Sequence, residues 1–219
     1  MLVLITAGPT YEPLDPVRFL GNRSTGKMGY ALAEAFAAAG ATVALISGPT
    51  HLPDPAHPAI ATTRVETAAD MFAAAAAVAE AADVWVFAAA VADYRPAAVA
   101  HEKIKKAGET LTLALVKNVD IAATLGQGKR PEQFAVGFAL ETTNELAHAQ
   151  DKLRRKGFNL IVLNSLRDAG AGFGHDTNKV TVLDQAGAVL NFELKKKTDL
   201  ATDLVALVLA RCKLQTPAV

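Results

Sequence analysis

Short apolar runs alternate with longer segments of helical periodicity along most of this chain. Leu2–Ala7 (LVLITA) is apolar throughout, which is typical of a central strand in a parallel sheet. Apolar residues then recur at helical spacing from Met28 to Phe36, and Gly40 is suited to ending that helix. Further strands are predicted in ATVALIS, DVWVFAAA, FAVGFAL and NLIVLNS, and further helices in TAADMFAAAAAVAEAA (67–82), NELAHAQDKLRRKG and 199–213.

This alternation predicts an α/β fold, a Rossmann-like, doubly wound and mostly parallel sheet with helices on both faces. Two segments interrupt it and are predicted to be inserted β-hairpins. The first, around 99–117, turns at 107–109, and the second, around 179–194, turns at 185–187. With no internal repeat or long linker, we predict a single domain over residues 1–219.

The composition narrows the class of ligand. Lys plus Arg and Asp plus Glu both number 22, so the net charge is zero, and we expect no nucleic-acid partner. The single cysteine, Cys212, excludes an internal disulfide. No apolar run reaches the roughly 18 residues of a membrane span, and the N-terminal MLVLITAGP lacks a basic leader. We therefore expect a cytoplasmic protein without a membrane partner.

Residues 21–28 (GNRSTGKM) nearly match a P-loop. Gly21, Gly26 and Lys27 fall at the required spacing, but Met28 stands where a magnesium-binding hydroxyl is needed. A Pro-rich loop also separates this stretch from the preceding strand, whereas a P-loop follows its strand directly. The glycines, the hydroxyls of Ser24 and Thr25 and a cation at a helix start still predict a phosphate site, although such residues also serve as ordinary caps and turns.

An NAD(P)-binding oxidoreductase is the alternative suggested by the fold class, and its signatures are missing. The first strand leads into Gly8-Pro9-Thr10 instead of a G-x-G-x-x-G loop, and no acidic residue ends the second strand. The glycine-rich 170–174 segment (GAGFG) is followed by a strand pattern. The five histidines are scattered, and no serine or cysteine nucleophile motif is present.

Residues after the strands have two possible interpretations each. Asp93 either caps a turn or binds a cation held by a triphosphate. The lysines of 103–106 (KIKK) either protect an exposed edge or close over phosphates. Lys152 and Lys156 lie one turn apart on a predicted helix and form either a solvated face or part of a site.

Five segments together resemble phosphopantothenoylcysteine synthetase, the ligase of coenzyme A biosynthesis, in its bacterial form. They are ITAGPTYEPLDPVRFLGNRSTGKMGYALAEA, AAAVADYRPAAVAHEKIKK, LVKNVDI, VGFALET and GFGHDTNKVTVL. The resemblance implies that 4′-phosphopantothenate is activated by CTP and Mg²⁺ as an acyl-cytidylate, and that L-cysteine then displaces CMP. No flavin or NAD is expected. The family's usual homodimer is implied, with the flap hairpin of one subunit near its neighbour's site.

Motif positions shared with this family imply roles for individual residues. Asn22 and Lys103 are expected to be catalytic, and Asn22, Ala89 and Ala90 to contact the substrate. Asp93 is the expected magnesium ligand. The residues expected to bind CTP are Gly8, Ser24, Gly26, Gly29, Phe87, Ala88, Ala89, Asp93, Lys103, Val119, Asp120, Ile121, Ala122, Phe138, Lys152 and Lys156.

Some positions depart from the family pattern. Val119 replaces an expected proline, Leu140 an expected alanine, and Asn164-Ser165 stands where a different dipeptide is usual. Many bacterial members follow a flavin-dependent decarboxylase in one chain, so we expect a stand-alone synthetase or an excised domain, with a separate decarboxylase as a partner. Three alternatives stay open: an NAD(P)-binding oxidoreductase, ATP in place of CTP, and a non-catalytic nucleotide-binding partner of a decarboxylase.

Overall fold

The structure, a computed structural model, describes residues 1–106, 108–141, 143–165, 172 and 174–215. The helices in these residues are α1 (Lys27–Ala38), α2 (Ala68–Ala79), α3 (Ile121–Gly126), α4 (Glu145–Arg155) and α5 (Lys197–Gln215). The strands are β1 (Leu2–Ala7), β2 (Tyr11–Pro13), β3 (Phe19–Gly21), β4 (Thr42–Ser47), β5 (Ile60–Arg64), β6 (Val84–Phe87), β7 (Tyr94–Pro96), β8 (Leu115–Lys117), β9 (Phe134–Glu141), β10 (Leu160–Ser165), β11 (Thr177–Asp184) and β12 (Val189–Lys196).

An eight-stranded sheet with the order β12-β11-β10-β9-β6-β1-β4-β5 forms the centre of the protein. The six strands from β10 to β5 are parallel, and β11 and β12 extend that sheet as an antiparallel hairpin. Taken in chain order, the six parallel strands have the 3-2-1-4-5-6 arrangement of the Rossmann fold. The predicted fold class is therefore confirmed, and the strand order reverses between β1 and β6.

The sheet is covered on both faces because its central strands are apolar on both sides. Val3 and Ile5 of β1 point into a core that also contains Phe36 of α1, and α5 packs on the same face. Leu4 points the other way, into a core shared with Met71 of α2 and with residues of α3 and α4. Alanines on α2 allow close packing on this second face.

Two hydrogen bonds, from the Ile104 N–H to Asp15 and from Arg18 to the Ile104 carbonyl, anchor the segment that follows β7. The carboxylate of Asp15 is buried and accepts hydrogen bonds from the N–H groups of Val17 and Arg18, from the Arg18 guanidinium, and from the N–H of Ile104 at 3.0 Å. Arg18 Nη2 also donates to the Ile104 carbonyl at 2.9 Å. Residue 104 is thereby fixed to the turn between β2 and β3.

The first predicted hairpin differs from the structure. The antiparallel ladder pairs Tyr94–Pro96 with Leu115–Lys117, and no strand is assigned to the described residues between them. Leu111 and Leu113 alternate with polar residues, yet they are 59% and 38% exposed. Without a buried face, alternation does not fix a strand register.

Several further elements differ from the sequence prediction. The second hairpin is present as β11 and β12, each longer than expected, and α5 begins at Lys197. Strand β5 was missed because its threonines (IATTR) lack an apolar run, and the β2–β3 pair was predicted as loop. Helix α3 was also missed, since only Ile121 is buried in it. In the part of the chain that the structure describes, no helix is both long and apolar enough to cross a membrane.

We predict that Gly137→Ala destabilises the protein. A Cβ atom on Gly137 of β9 would lie 2.0 Å from Cε2 of the buried Phe158 ring. Overpacking of this kind costs about 1–3 kcal/mol, which denaturant unfolding will measure. Gly128→Ala is the control, because its Cβ would make an ordinary contact at 3.7 Å with the Leu125 carbonyl oxygen. An equal loss in both variants would contradict this account.

We also predict that Asp15→Asn makes the stability of the fold depend less on pH in the acidic range. Hydrogen bonds, chiefly from the Arg18 side chain, hold the pKa of Asp15 below its ordinary value despite burial. The ionised form therefore stabilises the fold above the unfolded pKa of about 4, and this contribution is lost as pH falls through the folded pKa. Thermal unfolding should give a lower midpoint for the variant at pH 7 and a smaller difference near pH 3.

The exposed ion pair of Asp54 with Arg64 supplies the comparison for that experiment. Asp54→Asn should change the midpoint little at either pH, since exposed pairs contribute little to stability. A constant difference between wild type and Asp15→Asn from pH 7 to pH 3 would show that ionisation of Asp15 is not what stabilises the anchor.

Candidate functional site

A cavity of about 700 Å³ opens at the carboxyl ends of the central strands. It lies where the strand order reverses, between the start of α1, the loop after β6 and the segment leading into α3. This is where open parallel sheets bind ligands, and the volume is within the usual range for small-molecule sites.

Most of the residues predicted from the sequence line this one cavity. They are Asn22, Ser24, Gly26, Gly29, Phe87, Ala88, Ala89, Ala90, Asp93, Val119, Asp120, Ile121, Ala122, Phe138, Lys152 and Lys156. The fold thus brings together segments that are more than a hundred residues apart in the chain. Gly8 and Lys103 are not part of the cavity wall.

The start of α1 forms one end of the cavity. Gly26 is its N-cap in a left-handed conformation (φ 78°), no side chain caps the helix, and the first turn has no acidic residue. Ser24 Oγ accepts a weak hydrogen bond from the Gly26 N–H at 3.4 Å. A helix start with uncapped N–H groups and a positive dipole end favours an anion.

Gly29 sets how closely α1 approaches the sheet. A Cβ atom at this position would lie 2.5 Å from the Cβ of Ala7 at the end of β1. The absence of a side chain therefore allows the first turn of the helix to lie directly over the strand end.

Gly8 supports the cavity from behind. Its φ is 75°, its carbonyl accepts from the Ala90 N–H at 2.9 Å, and a Cβ would be 3.1 Å from the Gly48 carbonyl oxygen. Gly8 is therefore needed for the backbone conformation next to the cavity, and its predicted contact with CTP stays a prediction.

Asn22 joins two walls of the cavity. Its Nδ2 donates to the carbonyl oxygens of Ala90 at 2.9 Å and Val91 at 3.2 Å. The same loop is held by Thr10, a fully buried residue whose Oγ1 accepts from the Ala92 N–H at 2.9 Å. The amide hydrogens of Asn22 are thus engaged with the β6 loop, a contact that the motif alone does not reveal.

Lys152 of α4 and Lys156, which directly follows that helix, also line the cavity. Lys152 Nζ is 2.5 Å from Glu141 Oε1, and Lys156 Nζ is 2.9 Å from Asp120. Burial raises the pKa of Asp120, but the hydrogen bond and charge of Lys156 and the Ala123 N–H outweigh it, so the pKa is lowered overall. Each cation here is already matched by a carboxylate.

Sequence reasoning missed a polar cluster beside the start of α1. Asn178 is 1% exposed, and its Nδ2 donates to Asn164 Oδ1 at 3.2 Å. Lys197 is also buried, and its Nζ donates to the carbonyl oxygens of Gly172 at 3.0 Å and His175 at 2.6 Å. Burial, followed by the charge of Lys27, lowers the pKa of Lys197. Asn178 lies in a family-like segment, which was the available signal.

Lys103 lies next to the anchored Ile104, is exposed and is not among the lining residues. Most of the glycine-rich 170–174 segment falls outside the described residues. Within the described residues, no group of three or more His, Cys, Asp or Glu side chains is placed to hold a metal ion.

Comparison with known proteins agrees with the fold. Residues 1–211 match the family model described as DNA/pantothenate metabolism flavoprotein C-terminal domain. The coenzyme A biosynthesis bifunctional protein CoaBC of Bacillus subtilis (strain 168) is 46% identical over 211 residues, which are 96% of this chain and 52% of that protein. The chain thus spans about half the length of this curated relative.

The solved structures that are similar to this chain include the following two. The crystal structure of the C-terminal domain of CoaBC has a TM-score of 0.82 and 42% identity, covering 97% of this chain and 95% of that one. A Cab2 mutant in complex with phosphopantothenate-cysteine has a TM-score of 0.79, covering 98% of this chain and 87% of that one. At 19% identity, the second shows the shared fold alone. The match over residues 1–211 and the 46% identity together establish that this chain belongs to the DNA/pantothenate metabolism flavoprotein C-terminal domain family.

Proposed function

We propose that this chain ligates 4′-phosphopantothenate to L-cysteine, using CTP and releasing CMP and pyrophosphate. The observation that carries the proposal is a cavity lined both by cations and by the small residues Ala88–Ala90. The cations include Lys27 of α1, which packs on one face of the sheet, and Lys152 of α4, which packs on the other face. Such a cavity suits two phosphorylated ligands whose reacting groups must meet in the middle. The names of the CoaBC relatives and the ligand of the Cab2 complex support this choice of substrates.

The proposed reaction has two steps. A carboxylate oxygen of 4′-phosphopantothenate attacks the α-phosphorus of CTP, and the bond to pyrophosphate breaks. The amine nitrogen of L-cysteine then attacks the acyl carbon, loses a proton and displaces CMP, leaving an amide. Neither step needs a nucleophile from the protein, so the site has to position the reactants, stabilise charge and exclude water.

Asn22 has a positioning role in this proposal. Because its Nδ2 donates to the Ala90 and Val91 carbonyls, it fixes the backbone that would lie against the reacting phosphate and acyl groups. A donor contact from Asn22 to the intermediate would share these amide hydrogens or replace one of the two bonds. The proposed substrate contacts at Ala89 and Ala90 depend on the same loop.

A magnesium ion fits this site as part of a nucleotide chelate. Asp93 lines the cavity but has no cluster of carboxylates around it among the described residues. Mg²⁺ is often held by one carboxylate, several waters and substrate phosphates, so a single carboxylate is sufficient. When bound, the ion would neutralise triphosphate charge, and Asp93 would orient the chelate.

Lys103 has to move toward the cavity to take the proposed catalytic role. The residue is exposed in this conformation and is fixed next to Ile104 by the Asp15 and Arg18 anchor. Closure of the segment over bound ligand would bring its ammonium group toward the phosphates, as lid segments do in other enzymes.

An exposed apolar surface supports the proposed homodimer. Phe19 of β3, Tyr94 of β7 and Leu115 of β8 are 49%, 47% and 45% exposed. Two further exposed apolar residues lie in loops next to these strands: Val17 between β2 and β3, and Val99 after β7. Large apolar side chains grouped on one surface are typical of protein interfaces. A second copy of this chain would cover these side chains, close to the predicted flap region around 99–117.

Three alternatives remain distinct from this proposal. An NAD(P) oxidoreductase would need the glycine-rich loop and the acidic residue that this chain lacks after its first and second predicted strands. ATP in place of CTP keeps the chemistry and changes only the base contacts. A non-catalytic partner of a separate decarboxylase would bind nucleotide without turnover. The proposal of a decarboxylase partner follows from the bifunctional relatives, which are about twice as long as this chain.

Pyrophosphate release is the assay that separates these possibilities. With 4′-phosphopantothenate, L-cysteine and Mg²⁺, we expect release with CTP to exceed release with ATP, and phosphopantothenoylcysteine to be detected by mass spectrometry. Faster release with ATP would overturn the choice of nucleotide. Nucleotide binding without release would favour the non-catalytic partner. If folded protein neither binds nucleotide nor releases pyrophosphate, the proposed ligase is excluded.

We predict that Lys103→Ala lowers kcat by about 10²-fold, the usual effect of losing one charge-stabilising donor. Pre-steady-state and steady-state pyrophosphate assays will measure it. Lys105→Ala and Lys106→Ala are matched controls, because both side chains are exposed on the same segment. Equal rates for all three variants and the wild type would return Lys103 to the role of an exposed edge residue.

A further inference from the structure

An exposed carboxylate, that of Asp176, pairs with a lysine at the start of α1. Lys27, the first residue of α1, lines the cavity, and its Nζ lies 2.5 Å from Asp176 Oδ1. The hydrogen bond from Lys27, and then its charge, lower the pKa of Asp176, so the carboxylate is ionised at neutral pH. The Asp176 side chain is 83% exposed and that of Lys27 is 34% exposed.

The backbone around Asp176 is fixed although its side chain is not enclosed. The N–H of Lys197 donates to the Asp176 carbonyl at 2.9 Å, and Lys197 Nζ donates to the neighbouring His175 carbonyl at 2.6 Å. Lys197 itself is 7% exposed. Rotation of the Asp176 side chain into water therefore removes the carboxylate from Lys27 without moving the chain.

The start of α1 supplies no carboxylate of its own. It has no side-chain cap and no acidic residue in its first turn, so its N–H groups and Lys27 are all suited to an anion. An anion that arrives there meets a lysine whose charge is already matched by Asp176. The two negative groups compete for one cation.

We propose that Asp176 is a built-in competitor for this site, a counter-ion that the phosphate group of a ligand displaces from Lys27. Asp176 keeps Lys27 neutralised and oriented in the free protein, and it weakens the binding of every anion at the start of α1. The inference rests on the proposed function only in requiring a phosphorylated ligand.

Removal of the Asp176 charge should therefore strengthen the binding of a phosphorylated ligand. Loss of a purely structural contact would not strengthen it. We expect Asp176→Asn to bind inorganic pyrophosphate about two- to fivefold more tightly than the wild type, since an exposed ion pair contributes an interaction of that size. Isothermal titration calorimetry at low ionic strength measures the affinity. Unchanged or weaker binding overturns the proposal, as does the absence of pyrophosphate binding in both proteins.

Two further variants show whether the effect passes through Lys27. Glu132→Gln removes a carboxylate from a comparable exposed pair with Arg130, outside the cavity wall, and should leave the affinity unchanged. In a Lys27→Gln background, Asp176→Asn should give little or no additional tightening. An undiminished gain without Lys27 would mean that Asp176 acts through its general negative charge, and would contradict its role as a counter-ion.

The binding measurement is independent of turnover. Tighter pyrophosphate binding by Asp176→Asn in a protein without ligase activity would uphold this inference and reject the proposed function. Normal ligase activity with no gain in affinity would do the reverse.

Discussion

The site depends on the contact between α1 and the end of β1. Gly29 lies so close to Ala7 that a Cβ atom would be 2.5 Å from the alanine Cβ. This approach places the first turn of α1 over the carboxyl end of the strand, at the point where the sheet order reverses. The uncapped N–H groups, Ser24 and Lys27 then all face one cavity. Without that contact, the same residues would form an ordinary exposed helix start.

The charges of Lys27 and Lys152 are both balanced by a carboxylate, but in different ways. Glu141, the partner of Lys152, is 15% exposed, whereas Asp176, the partner of Lys27, is 83% exposed. Burial makes the first carboxylate costly to leave unpaired, so Lys152 is held in place. The second carboxylate can be rehydrated at little cost. Of these two carboxylates, Asp176 is therefore the one that a ligand can replace more easily.

The sequence predicted those parts of the molecule that depend on local pattern. The apolar run of β1 and the loop positions of Ser24 and Asp93 indicated the sheet and the side on which ligands bind. Strand β5 was missed because an edge strand with threonines has no apolar run. Gly8, predicted to bind CTP, is not among the lining residues, because a motif position does not tell whether a glycine contacts a ligand or supports the backbone next to it. Asn178 and Lys197 were missed because β11 and α5 reach the cavity only through tertiary folding.

The anchor at Ile104 constrains how Lys103 can take part in the proposed reaction. Asp15 and Arg18 hold both the N–H and the carbonyl of Ile104, so the backbone next to Lys103 cannot move far without breaking these bonds. A lysine side chain is long and flexible, so a small rotation about a fixed point moves its ammonium group by several ångströms. An acyl-cytidylate has to be shielded from water until the amine arrives. In the proposed reaction, the side chain of Lys103 would approach such an intermediate while the hydrogen bonds of Ile104 to Asp15 and Arg18 stay intact. The buried Asp15 would then support the proposed role of Lys103 from a position remote from the chemistry.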